Sequence, residues 1–193
     1  MESFHFATDV ERLMESLGQL PEPATNPVLV AVSGLPGTGK SYFSAKLAEK
    51  LPFVILESDT LRKVLFSPPA YTARESAYLF QAIHSLIERL LKKGISLILD
   101  ATNLSEAHRE ELDHIAEKLD AKLVIVRVEA PPEIVQARLR ARVGNRYSQS
   151  DADWSVYKKM KPYVEEIRRK HYAVDTSRNI APVLEKIARE VRR

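Results

Sequence analysis

Short apolar segments alternate with longer amphipathic ones along the chain. The apolar segments are 28–32, 53–57, 95–100, 122–128 and 172–175. Each is rich in valine, isoleucine and leucine and contains few polar positions, which is typical of strands that are covered by helices on both faces. The pattern therefore predicts five strands of a parallel sheet.

The segments between the strands have apolar residues at helical spacing. In residues 74–93, Phe80, Ile83 and Ile87 lie on one side and Gly94 ends the helix. Further helices are expected around 43–51 and over 60–66, 105–119, 132–143, 150–160 and 180–191. Ser150 is expected to cap its helix, with Asp153 at the third position. Strands that alternate with helices indicate one α/β domain of three layers, with a five-stranded parallel sheet and right-handed crossovers.

Residues 1–27 precede this alternation. Val10, Leu13 and Leu17 predict a short amphipathic helix that ends near Gly18, and a proline-rich linker follows. We therefore divide the chain into an N-terminal helix and linker at 1–27 and a domain at 28–193, with a helical lid at about 138–155. The N-terminal helix is expected to pack on the domain; docking of a partner is the alternative.

Composition narrows the class of protein. The 193 residues suit one domain, and the lack of cysteine excludes disulfides, zinc fingers and thiol catalysis. The net charge of +3 does not by itself indicate nucleic acid, although residues 121–193 carry 17 Lys and Arg against 9 Asp and Glu. No apolar run approaches the roughly 20 residues that span a bilayer, and no signal peptide is recognisable. We expect a cytoplasmic protein without a membrane partner.

One motif follows the first strand and opens the next helix. It matches G-x-x-x-x-G-K-[ST], the phosphate-binding loop, and consists of Gly34, Leu35, Pro36, Gly37, Thr38, Gly39, Lys40 and Ser41. Glycines allow successive backbone N–H groups to face phosphate oxygens, and the helix N-terminus adds positive charge. Lys40 would reach the β- and γ-phosphates, and Ser41 would hold Mg²⁺. An accidental glycine-rich turn is the alternative, but the flanking strand and helix favour a nucleoside triphosphate site.

Carboxylates follow the second and third strands, where ligands of parallel sheets bind. Asp59 and Arg62 form an Asp-x-x-Arg pair at a helix start. The carboxylate could accept a proton from an attacking hydroxyl, and the guanidinium could hold a phosphate or the acceptor. Asp100 could orient Mg²⁺ through water. A helix cap with a surface arginine, and a cap for the turn at 102–104, are the respective alternatives.

Two arginines lie one helical turn apart near the expected lid. Arg138 and Arg142 could close over the phosphates and neutralise charge during phosphoryl transfer; a solvated basic face is the alternative. Trp154 is interpreted as a packing residue. Three histidines without metal-ligand spacing are interpreted as structural: His84, His108 and His114.

The ordered set of motifs resembles the P-loop kinases of the polynucleotide-kinase and zeta-toxin group, described as AAA_33-type kinases. The similar stretches lie at 30–41, 57–63, 97–103, 137–142 and 150–153, within residues 28–178. This resemblance implies that Asp59 is a general base, that Arg62 contacts the acceptor, and that Arg138 and Arg142 engage the phosphates of ATP. Members of this scaffold also phosphorylate sugars, antibiotics and nucleotide sugars.

The predicted activity is that of a kinase dependent on ATP and Mg²⁺, with a hydroxyl as the acceptor. The acceptor is either a small molecule or the 5′-hydroxyl of a polynucleotide, although no dense basic stripe with interleaved aromatics favours nucleic acid. Residues expected near the acceptor are Tyr71, Arg74, Tyr78 and Arg109. The alternative is an ATP-binding switch or an ATPase that acts on a partner protein, which would transfer no phosphate to a hydroxyl.

Overall fold

The predicted apolar segments pair into one parallel sheet in the computed structural model, which describes residues 6–142 and 151–192. The strands are β1 (Val28–Ser33), β2 (Val54–Glu57), β3 (Leu97–Asp100), β4 (Lys122–Glu129) and β5 (Tyr172–Asp175). The helices of the described residues are α1 (Phe6–Ser16), α2 (Lys40–Ala48), α3 (Ser58–Leu65), α4 (Ala73–Lys92), α5 (Glu106–Lys118), α6 (Pro132–Arg142), α7 (Trp154–Met160) and α8 (Ala181–Val191), with a short 3-10 helix at Lys161–Tyr163. The strand order is β2-β3-β1-β4-β5.

The central strand shows why the fold has three layers. Every residue of β1 is buried, and its side chains alternate between two cores. Leu29 and Ala31 belong to the core with α1, α4 and α5, whereas Val30 and Val32 belong to the core with α2 and α8. Helices therefore cover both faces of the sheet, and the predicted α/β fold is confirmed. Within the described residues, none of the helices combines the length and apolarity needed to cross a bilayer.

Polar side chains just before α5 and α7 cap these helices and so set where they begin. The Ser105 hydroxyl accepts from the backbone N–H of His108 at 3.3 Å, as its position at the predicted helix start implies. The prediction for α7 was less accurate. Its cap is Asp153, whose carboxylate accepts from the N–H groups of Ser155 and Val156 at 2.8 and 3.0 Å, bonds that lower the pKa of that carboxyl. The helix thus begins later than expected; Ser150 lies outside the described residues.

The N-terminal helix packs on the domain. Val10 and Leu13 are fully buried in the core shared with α4. The Tyr78 hydroxyl donates to Asp9 at 2.7 Å, and the Arg12 guanidinium donates to the Val64 carbonyl near the end of α3 at 2.7 Å. Helix α1 therefore supports α3, which carries two of the predicted site residues.

Truncating the buried face of α1 should destabilise the whole domain. We expect Leu13→Ala to lower the free energy of unfolding by about 2–4 kcal/mol, because it removes a fully buried side chain and leaves a cavity. Glu15→Ala, on the exposed side of the same helix, is the matched control and should change it by less than about 0.5 kcal/mol. Denaturant titration measures both, and equal stabilities of the two variants would show that α1 contributes nothing to the core.

The Tyr78–Asp9 bond predicts a decline of stability at alkaline pH. Burial and the bond to Asp9 raise the pKa of Tyr78 to about 12. The folded state therefore keeps a proton that the unfolded chain loses near pH 10, so this contribution is complete below pH 10 and is lost as the pH rises towards 12. In Tyr78→Phe, the difference from wild type, about 1 kcal/mol at pH 8, should shrink over this range in chemical denaturation. A difference that stays constant from pH 8 to 12 would contradict the assignment.

Candidate active site

A cavity of about 690 Å³ lies at the carboxyl ends of β1, β2 and β3. This is the edge of a parallel sheet at which ligands bind. Predicted site residues that line it are Pro36, Gly37, Gly39, Lys40, Ser41, Asp59, Arg62, Asp100 and Arg142. Gly34, Leu35, Thr38 and Arg138 lie outside the lining. The structure therefore brings the phosphate loop and both predicted carboxylates to one place.

The phosphate loop requires glycine at two positions where neighbouring atoms leave no space for a Cβ atom. A Cβ atom at Gly34 would lie 2.4 Å from the Val128 carbonyl oxygen. Gly39, the N-cap residue of α2, has a φ of 95°, and a Cβ there would lie 2.9 Å from the Thr176 hydroxyl. Close packing against the ends of β4 and β5 thus holds the loop in its curled form.

Lys40 is folded back onto its own loop. Its Nζ donates to the Leu35 carbonyl at 3.0 Å. Burial lowers the pKa of Lys40, while the negative charges of Asp100 and Asp59 oppose that shift. The ammonium is therefore held beside carboxylates at the loop, with a carbonyl partner that a phosphate oxygen could replace.

Asp100 presents an unsatisfied carboxylate oxygen. Its side chain is 4% exposed, and its Oδ2 has no hydrogen-bond partner in the described part of the chain. Burial raises the pKa of Asp100, and the Lys40 charge works against it. A buried carboxylate oxygen of this kind requires a partner, which a cation or its water could supply.

The oxygens of Ser41 and Asp100 fit Mg²⁺, which prefers oxygen ligands and retains several waters. Residues 6–142 and 151–192 contain no group of three or more His, Cys, Asp or Glu side chains that could hold a metal ion. The ion would therefore depend on the Ser41 hydroxyl, on Asp100 and on the phosphates of a bound nucleotide. Ser41 and Asp100 remain the predicted magnesium residues.

Asp59 and Arg62 both reach the cavity, but the guanidinium is already engaged. Arg62 is 8% exposed and donates to Glu75 at 2.6 Å and to the Ser76 hydroxyl at 3.2 Å. Its guanidinium also lies 5.1 Å from the centre of the Tyr71 ring. The surface arginine that was the alternative interpretation is excluded. Arg62 joins α3 to α4 and Tyr71 through a buried ion pair, and its contact with an acceptor stays a prediction.

The two predicted lid arginines have different surroundings. Arg142 lines the cavity. Arg138 instead donates to the Thr176 hydroxyl and carbonyl, at 2.8 and 3.0 Å, and the Thr176 hydroxyl donates to the Thr38 carbonyl at 2.5 Å. Arg138 therefore supports the phosphate loop from outside the cavity. The middle of the predicted lid, 143–150, lies outside the described residues.

Three residues that were expected near the acceptor do not line the cavity: Arg74, Tyr78 and Arg109. Arg109 is 2% exposed and donates to the carbonyls of Asn103, Leu104 and Glu166, so that it holds loops together and does not line the cavity. Tyr78 faces α1. The Tyr78 and Arg109 side chains hydrogen-bond to partners far away in the sequence or in other loops. Helical spacing does not reveal such partners.

Tyr71 does line the cavity, and Trp154 packs as expected, with its ring stacked on another aromatic ring at 4.6 Å. Sequence reasoning missed three residues at the site. Glu57 ends β2 beside Asp100, Thr176 follows β5, and Asp151 accepts a hydrogen bond from the Tyr71 hydroxyl. Glu57 and Asp151 had a signal in the sequence, because Glu57 is a charged residue at a strand end and both lie in stretches that resemble the kinase family.

The comparisons with known proteins agree with this geometry. The family model AAA_33, described as an AAA domain, matches residues 29–167. An L-seryl-tRNA(Sec) kinase of Methanococcus maripaludis is 31% identical over 116 residues, which cover 58% of this chain and 44% of that protein. An adenylyl-sulfate kinase of Myxococcus xanthus is 29% identical over 111 residues, covering 55% of this chain and 60% of that protein. The chain thus matches about half of the length of these two relatives.

Among solved structures, the Mycobacterium tuberculosis APS kinase CysC in complex with AMPPNP and APS has a TM-score of 0.67 at 17% identity. The likeness covers 88% of this chain and 100% of that chain. At this identity it shows the fold alone, a P-loop kinase-like α/β arrangement.

The position of Arg138 predicts an indirect effect on nucleotide binding. We expect Arg138→Met to weaken ADP binding about tenfold, because the Thr38 carbonyl and Thr176 lose the group that holds them against the phosphate loop. Arg140→Met, on the exposed side of the same helix, is the control and should bind ADP as the wild type does. Isothermal titration calorimetry measures both; equal affinities of the two variants would rule out the supporting role.

Proposed function

Because the chain belongs to the AAA_33 family, we propose from its site geometry that it is a kinase that uses ATP and Mg²⁺ and transfers the γ-phosphate to a hydroxyl group. The observation that carries the proposal is the position of Asp59. This carboxylate lines the same cavity as Lys40, Asp100 and Tyr71. A site for hydrolysis alone does not need a base facing a separate acceptor space.

The phosphates would bind against the loop amides and the N-terminus of α2. Lys40 would exchange the Leu35 carbonyl for a phosphate oxygen, and Arg142 would add a second positive charge from the end of α6. Ser41 and Asp100 would hold Mg²⁺, which neutralises charge on the phosphate oxygens when bound. The protein's own contribution is positioning and charge stabilisation.

Asp59 lies in the first turn of α3 and acts as the general base. The acceptor oxygen forms a bond to the γ-phosphorus, and the bond between that phosphorus and the β–γ bridging oxygen breaks. The hydroxyl proton passes to the Asp59 carboxylate, and the electron pair of the broken bond leaves on ADP. Arg62 is held by Glu75 and fixes the orientation of α3 relative to α4.

The acceptor end of the cavity favours a small molecule over a polynucleotide. Phe80, Val156 and Met160 give it an apolar wall. Asp151 also lines the cavity, where it accepts from the Tyr71 hydroxyl and lies 3.8 Å from the Lys63 ammonium. The volume of about 690 Å³ must also contain the nucleotide phosphates, which leaves space for an acceptor of sugar or nucleoside size.

The kinase proposal predicts that Asp59→Asn separates binding from transfer. With γ-labelled ATP, Mg²⁺ and a pool of sugars, nucleosides and aminoglycosides, we expect label in the pool with wild type and a loss of at least about 100-fold in Asp59→Asn. The affinity for ADP should stay within about threefold, because Asp59 is assigned to the acceptor and not to the nucleotide. Asp120→Asn, the same change at an exposed position, is the matched control.

A 5′-hydroxyl oligonucleotide, DNA and RNA, is assayed in parallel. Label on the oligonucleotide alone would identify a polynucleotide kinase and contradict the small-molecule assignment. Free phosphate alone, released equally by Asp59→Asn, would contradict the kinase proposal and favour the ATPase or switch.

A further inference from the structure

Glu57 lines the cavity together with Asp59 and Asp100, but it has no role in the proposed transfer of phosphate. It ends β2, and its register partner on the neighbouring parallel strand is Asp100. Side chains of register partners in a parallel sheet extend to the same side, and both residues line the cavity. The sheet therefore brings Glu57 to the magnesium side of the phosphate loop.

The Glu57 carboxylate is held at one oxygen by Thr60, and its other oxygen shares the Ser41 hydroxyl with Asp100. Its Oε2 accepts from the Thr60 hydroxyl at 2.6 Å, and its Oε1 accepts from the Ser41 hydroxyl at 3.4 Å. Thr60 lies in the first turn of α3, so the bond to Thr60 fixes the direction of the carboxylate. A serine hydroxyl that donates its proton to a carboxylate keeps its lone pairs available for a cation.

The charges around Ser41 favour a cation at this point. Glu57, Asp59 and Asp100 face the cavity with Lys40 and Arg142, and the Arg62 charge is balanced by Glu75. Independently, the Oδ2 of Asp100 is buried and has no hydrogen-bond partner among the described residues. Asp151 and Lys159, which also line the cavity, carry opposite charges, so one negative charge remains in excess in this set.

We propose that Glu57 is a positioning residue for the magnesium ion of the phosphate site, where it orients the Ser41 hydroxyl and sets the affinity for the ion. This inference rests on the proposed function for the identity of the nucleotide and the metal. It separates the roles of two neighbouring acids. Glu57 contacts the hydroxyls of Thr60 and Ser41, whereas the Asp59 charge, which also opposes the lowering of the Lys40 pKa, is one of the charges that raise the pKa of Tyr71 at the acceptor end.

The test uses Mn²⁺ as a probe, titrated into the protein with ADP and followed by electron paramagnetic resonance. In Glu57→Gln we expect Mn²⁺ to bind about tenfold more weakly, the lower end of the effect of removing an outer partner of a metal site. ADP binding in EDTA should be no weaker than in wild type, because a negative charge near the phosphates is removed. Thr60→Val should weaken Mn²⁺ binding in the same direction by about threefold, since Glu57 loses the bond that fixes it.

Asp151→Asn is the matched control, because it removes the same charge from the acceptor end of the same cavity. Its Mn²⁺ affinity should stay within about twofold of wild type. Equal Mn²⁺ affinities of Glu57→Gln and Asp151→Asn would overturn the proposal, as would a loss of ADP binding in EDTA by Glu57→Gln alone. The readout needs no acceptor. Wild-type protein that binds no Mn²⁺ with ADP would contradict the proposed function itself.

Discussion

The site depends on hydrogen bonds that hold the phosphate loop from both sides. On one side, the Gly34 N–H donates to the Thr102 carbonyl at 3.0 Å. The Ser33 hydroxyl donates to the same carbonyl, which lies in the loop after β3. On the other side, Thr176 and Arg138 hold the Thr38 carbonyl. Backbone N–H groups can face a phosphate only if the loop is curled before the ligand arrives, and these contacts provide that preorganisation.

Because hydrogen bonds hold the phosphate loop in place, charged side chains can lie close together beside it. Lys40 is half-buried and Asp100 is buried, and burial disfavours the charged form of each. Their mutual attraction offsets part of this cost, but the Asp100 Oδ2 is left without a partner. An arrangement of this kind reduces the stability of the free protein and is expected where ligands will satisfy the groups.

The carboxylates around the loop differ in their surroundings, although they lie close together. Asp100 is buried with one oxygen that has no partner among the described residues, Glu57 accepts from the Thr60 hydroxyl, and Asp59 lies in the first turn of α3. The proposed division into a metal side and an acceptor side rests on these partners. Helix α1 contributes from a distance, because Arg12 and Asp9 hold α3 and α4 in place.

The sequence by itself determined the strands, the burial of β1 and β3 on both faces and the phosphate loop, because these are local. Apolar runs, helical spacing and the glycine pattern need no information about distant residues. Asp59 and Asp100 were predicted to lie at the cavity because the sequence shows where the second and third strands end. Only the tertiary structure decided which partners the long side chains take. Arg138 reaches a threonine 38 positions away, and the bond between Thr176 and Thr38 spans 138 positions.

The same reason applies to the residues that were misjudged or missed. Arg109 was expected to face a ligand, but carbonyls from two other loops surround it. Glu57 gained its significance only when β2 paired with β3 and brought it beside Asp100. Strand order and the choice of ion-pair partners depend on how the layers pack, which no local pattern in the chain encodes.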